Sequence, residues 1–219
     1  MKTLRSMALI MLTLFTFSCS NEEATTPNEE TQAIPKLIST KKLTDQSLLK
    51  QVAETYNSTK KVSLRTAEGG LHELQFAFDD ATISEYMGTE IQSIAAYEVN
   101  YNPNQTTYYS YGTYVDNGVV MDEGLVMKTQ VVNANHYIVD YYDTNYNEYI
   151  GQVTVVGGEI ISATTTSYSF GSRFGKCVSK TINTFVDGSW QGAGTGLLCM
   201  AFGPECALAI GVVCSYWAF

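Results

Sequence analysis

The spacing of apolar and polar residues changes period along this chain, and each change marks a different element. In KLTDQSLLKQVAETYN the apolar positions Leu48, Leu49, Val52, Ala53 and Tyr56 share one helical face. Thr44 is placed to cap that helix, Asp45 lies in its first turn, Leu43 and Leu48 fit a hydrophobic staple, and Asn57 is a stop. From Lys60 to about Ser169 the period drops to two. KKVSLRTAEGGLHELQFAF reads as two alternating runs joined at Glu68-Gly69-Gly70, a predicted hairpin. Six further runs follow: Ile91 to Val99, Thr106 to Val115, Leu125 to Val132, His136 to Tyr142, Glu148 to Val156 and Glu159 to Ser167. Asp116-Asn117-Gly118, Asp122-Glu123-Gly124, Asp143 to Asn147 and Gly157-Gly158 supply residues that tolerate positive φ, and they read as the turns.

Beyond Phe170 the period becomes helical again. Val178, Ile182, Phe185 and Val186 mark one face that ends at Asp187-Gly188. A second apolar helix is predicted from about Gln191 to Phe202, and Gly203-Pro204 ends it and starts another, with Glu205 in its first turn. The expected fold is α+β: an antiparallel meander of about eight strands, an N-terminal helix, and a C-terminal helical hairpin stapled by disulfides. The expected organisation is a leader at 1–18, an acidic tether at 19–35, the helix and sheet at 36–169, a linker at 170–176 and an apolar cysteine-rich region at 177–219.

The leader changes the setting. Lys2 and Arg5 precede an uncharged apolar run from Met7 to Phe17, a run shorter than the roughly twenty residues a bilayer core requires. That is the pattern of a bacterial secretory signal. Ser18-Cys19 after it resembles the lipobox of bacterial lipoproteins, and Ser20-Asn21-Glu22-Glu23 resembles the acidic export tag of Bacteroidota lipoproteins. The resemblance implies lipidation at Cys19 and display on the outer face of the outer membrane. NEEATTPNEETQAIP then has little to bury and reads as the tether.

Charge is distributed unevenly. The net charge is −9, yet residues 67–170 alone hold fourteen acidic residues and one basic residue. Such a surface repels phosphate backbones, which argues against a nucleic-acid partner. Catalytic signatures are missing as well. His72 and His136 both fall in strand-like runs, GAGTG at Gly192–Gly196 lacks a phosphate-loop lysine, and no cofactor motif occurs. Asp143, Asn145 and Asn147 begin like a calcium loop, but Glu148 stands where glycine is needed and Thr154 where glutamate is needed. Asp79-Asp80 and Asp122-Glu123 read as solvated turn acids rather than an acid and base pair.

With Cys19 assigned to lipid, Cys177, Cys199, Cys206 and Cys214 form an even set confined to the tail. In an oxidising compartment such a set invites two disulfides. The 21, 6 and 7 residues between them contain no CxxC pair, which disfavours zinc. In one unbroken helix Cys206 and Cys214 would lie about 12 Å apart along the axis, too far to bond, so Cys177 is expected to join one of the others. Three readings of the tail stay open: a membrane span, a core element of the sheet, or a stapled peptide that the rest of the chain delivers. CVSKTINTFVDGSWQGAGTGLLCMAFGPECALAIGVVC resembles the C-termini of halocin-C8-like bacteriocin precursors. That resemblance implies release near Arg173 or Lys176 and a membrane-active peptide with Trp190, Tyr216 and Trp217 at the lipid interface of a target cell.

Thirteen of the fifteen tyrosines fall between Tyr86 and Tyr168. Tyrosine is a favoured strand residue, and its ring is also a platform for sugars and proteins. Tyr108, Tyr109, Tyr111, Tyr141 and Tyr142 are the candidate binding residues. The functional expectation is therefore a surface lipoprotein, either a bacteriocin-like precursor or a non-catalytic module for glycan or protein, with a toxin-neutralising role as a third reading.

Overall fold

The computed structural model describes residues 37–63, 74–144, 148–157, 159–165, 173–186 and 207–215. The expected leader and tether, Cys19, the expected hairpin at Glu68-Gly69-Gly70 and the segment 187–206 lie outside the described residues. Eight strands form one antiparallel sheet in sequence order, β1 Leu37–Lys42, β2 Thr82–Tyr86, β3 Gln92–Tyr97, β4 Thr107–Asp116, β5 Val119–Asn133, β6 His136–Asp143, β7 Glu148–Val156 and β8 Glu159–Thr165. Three α-helices accompany them: α1 Gln46–Ser63, α2 Arg173–Val186 and α3 Ala209–Ser215.

Strand alternation sends neighbouring side chains to opposite faces, and each face carries a buried apolar cluster. On one face Leu48, Leu49, Val52 and Tyr56 of α1 pack against Ile83, Ile94, Tyr111, Val115 and Val126. On the other, Phe174, Val178 and Ile182 of α2, with Leu208, Ile210 and Val212 at α3, pack against Tyr114, Leu125, Met127, Tyr141 and Val153. Burying each large apolar side chain stabilises the fold by about 1.5–3 kcal/mol. The helix α2 lies against β7 and β8 while α3 reaches β3, so the sheet curls around this pair. A Cys177–Cys214 disulfide joins α2 to α3, with their Cα atoms 5.6 Å apart.

The count of eight strands matches the sequence reading, but its first two members differ. Lys60–Ser63 continue α1 instead of starting a strand, because no glycine or proline interrupts the helix past Asn57. Ser58 Oγ donates to the Thr55 carbonyl and Thr59 Oγ1 to the Tyr56 carbonyl. At the other end the cap is Asp45, not Thr44. Asp45 Oδ1 accepts from the Ser47 and Leu48 backbone N–H groups at 2.8 and 3.2 Å. The missing two strands are β1 and β2, which carry few apolar residues. They are keyed together by polar pairs: Thr40 with Ser84, Lys41 with Glu85, and Lys42 with Asp80 in the turn before β2.

Asp116-Asn117-Gly118 does form a two-residue hairpin turn, with φ of 49° at Asn117 and 79° at Gly118 as the I′ geometry requires. Asp122-Glu123-Gly124 does not. It is a bulge inside β5, where the register with β4 shifts between Thr113 and Val115. Thr113 Oγ1 holds the bulge by donating to the carbonyls of Met121 and Glu123. Residues 173–176, read from the sequence as linker, open α2 and bury Phe174, because Phe174, Val178 and Ile182 follow one another at helical spacing.

Candidate functional site

The five candidate tyrosines separate into three places. Tyr111 and Tyr141 are core residues, 0% and 1% exposed, so neither offers a ring face to a ligand. Tyr108 is buried on the α2–α3 face at the end of the β3–β4 hairpin, where its ring meets Tyr101 edge-on at 5.1 Å and Tyr97 at 5.7 Å. Tyr97 and Tyr101 stack on each other at 4.1 Å, so that trio is already closed upon itself. Tyr109 and Tyr142 lie half-buried on the opposite face, packed against the margin of the apolar cluster under α1.

Register places other chemistry beside these two. Tyr109 pairs with Lys128, Lys128 with Asp140, Asp140 with Gln152 and Gln152 with Thr164. Directly paired residues share a face, so one side chain from each of β4 to β8 forms a straight row across five strands. Tyr142 and Tyr149 form the next step of the ladder, with ring centroids 5.5 Å apart and planes at 62°. Asp140 is 7% exposed, and its carboxylate accepts from Gln152 Nε2 at 2.7 Å. That bond fixes the Gln152 amide, and among the described residues its carbonyl oxygen and second N–H have no other partner, so both can serve a hydroxyl-bearing ligand. Among the described residues Lys128 makes no ion pair.

Both rings keep their protons. Burial pushes the Tyr142 hydroxyl above its ordinary range, and the nearby Asp140 charge, Tyr109 and Tyr149 push it further. Burial and Asp140 also raise Tyr149, against a hydrogen bond with Thr164 that lowers it. Two neutral phenols, an oriented amide, a carboxylate and an ammonium thus share a surface that is half-open to solvent. Such an array hydrogen-bonds hydroxyls and stacks on flat apolar faces.

Those of the remaining predicted residues that are described lie apart from this row. Cys177 and Cys214 are bonded to each other; Cys199 and Cys206 lie outside the described residues, as do Trp190, Tyr216 and Trp217. Arg173 and Lys176 are exposed in the first turn of α2. Among the described residues no group of three or more histidines, cysteines or carboxylates is placed to hold a metal ion, and no helix is long and apolar enough to cross a membrane. No protein family, curated protein or solved structure matches this chain. Lys128, Asp140 and Gln152 were not singled out from sequence, and Tyr149 only as one of the clustered tyrosines. Their only signal is the strand pairing, since they are spread over β5, β6 and β7 with ordinary local spacing.

Proposed function

We propose that this protein is a non-catalytic binding module carried on the cell surface as a lipoprotein, with a glycan as its ligand. The observation that carries the reading is the row Tyr109, Lys128, Asp140, Gln152 and Thr164 beside the Tyr142–Tyr149 pair. Rings supply area with little entropy lost, and the oriented polar groups supply direction. Lipidation at Cys19 would hold this face outside the cell, where such ligands occur.

Screening the full chain on a glycan array tests the reading. Tyr142→Ala should lower the signal at least tenfold, while Tyr108→Ala on the opposite face should leave it unchanged. Equal loss from both variants, or an array with no signal, would sink it. Metabolic labelling with a radioactive fatty acid, lost in Cys19→Ser, checks the anchor.

A bacteriocin-like precursor is the second reading, and a different observation favours it. The Cys177–Cys214 bond lies wholly within the tail, so a cut at Arg173 or Lys176 would leave α2 and α3 joined. Leu208, Ile210 and Val212 are buried against the sheet, which would shield an apolar peptide until release. A discrete 177–219 mass in culture supernatant that kills related cells would support this reading; an intact, inactive chain would end it.

A further inference from the structure

Resting on the binding reading above, we infer that the ligand is an uncharged, extended polysaccharide that lies across the strands, one sugar over each of β4 to β8. The row has one side chain per strand, and neighbouring strands are about 4.8 Å apart, so its five positions span about 19 Å. The repeat of an equatorially linked pyranose chain is close to that strand spacing. A chain crossing the strands therefore presents a hydroxyl edge to each position in turn. A chain running along a strand would meet successive same-face residues nearly 7 Å apart, out of step with its own repeat.

Charge selects the class of chain. Lys128 is the one basic residue among residues 67–170, and register sets it directly beside Asp140. Those two charges cancel within the row. The other thirteen acidic residues of that region disfavour a polyanion, whereas a polycation would be drawn to acidic groups well beyond this row. A neutral chain meets no such penalty, and it uses what the row supplies: the fixed Gln152 amide, the Lys128 ammonium as a hydrogen-bond donor, and the Tyr142 and Tyr149 rings.

Calorimetric titration of the full chain with neutral β-linked glucose, xylose and N-acetylglucosamine oligomers of one to six units tests the inference. Mannuronate oligomers of the same lengths serve as the charged control. Affinity for at least one neutral series should rise with each unit up to five and then level off. Gln152→Ala should lower the five-unit affinity about tenfold and leave the one-unit affinity nearly unchanged. Tightest binding to single or branched sugars, or to mannuronate, would overturn the cross-strand inference and leave glycan binding standing. Failure of every sugar to bind would end both.

Discussion

The two faces of this sheet are closed in different ways. On the α2–α3 face the contacts reach the backbone: Tyr114 Oη donates to the Leu208 carbonyl at 3.2 Å, and Tyr141 Oη reaches the Ala207 carbonyl at 3.4 Å. A Cβ added at Gly112 would overlap Leu208, and one at Gly211 would overlap the Tyr114 hydroxyl, so helix and sheet interlock at their closest point. On the α1 face the helix lies against β5, and its apolar cluster, drawn from β2 to β5, ends at Val126 and the edge of Tyr142. Past that edge the strands carry Lys128, Asp140 and Gln152. The same residue type therefore does two jobs. A tyrosine whose hydroxyl finds a carbonyl across the core holds the fold together, and one whose ring is left at the margin is available to a ligand.

The strongest way to break the comparison is to cut the staple. By loop entropy, a bond closing a 37-residue separation stabilises the fold by about 4 kcal/mol. Cys177→Ser with Cys214→Ser should lower the denaturant midpoint accordingly, with the slope watched for loss of two-state behaviour. An unchanged midpoint would mean that the interlock alone holds α3 on the sheet.

A smaller effect sharpens the contrast between the two kinds of tyrosine. Tyr114→Phe removes a buried hydroxyl and leaves the Leu208 carbonyl without that donor, so it should cost about 1 kcal/mol. Tyr142→Phe, at the half-open margin, should change stability by less than about 0.5 kcal/mol. Equal losses in urea unfolding would show that both faces are structural, and the binding reading would lose its site.

How far the sequence carried this picture depends on where the deciding partner lies. The strands from Ile91 onward were legible because alternation is local and Asn117-Gly118 names its own turn. The early strands were not, since β1 and β2 are specified by Ser, Thr, Lys and Glu pairs between segments some forty residues apart. Asp122-Glu123-Gly124 has turn chemistry and was misread, because only Thr113 on the neighbouring strand makes it a bulge. The apolar stripe Phe174, Val178, Ile182 was partly visible, but Tyr114 meets the Leu208 carbonyl across 94 residues, and nothing local announces that. The candidate row is the extreme case. Its five members become neighbours only when every register from β4 to β8 is known, and a slip of one residue would send them to the other face.

The smallest expected effect is one of pH, and it comes from the bulge. Glu123 lies where β5 leaves its regular pairing, and its Oε2 is buried without a hydrogen-bond partner among the described residues. Burial is the main force raising its carboxyl above the ordinary value of 4.5, opposed by a bond from its own backbone N–H and reinforced by Asp122 and Asp143. The folded chain therefore holds this proton to higher pH than the unfolded chain does. Above 4.5 the native state binds more protons, so this group's contribution to stability falls as pH rises, until the folded carboxyl has also ionised. Asp80 and Glu85 act in the opposite sense. Their carboxyls are held low by hydrogen bonds and charge from Lys42 and Lys41, so what they contribute is present above their ordinary values and lost as pH falls. Those two are exposed and salt-screened, and they are common to wild type and variant. Glu123→Gln should therefore be the more stable protein relative to wild type as pH rises from 4 to 7, with the gap closing below 4.5. A stability difference between the two that stays constant across that range would show that the bulge carboxyl titrates as if in water, and that the sheet is open there as well.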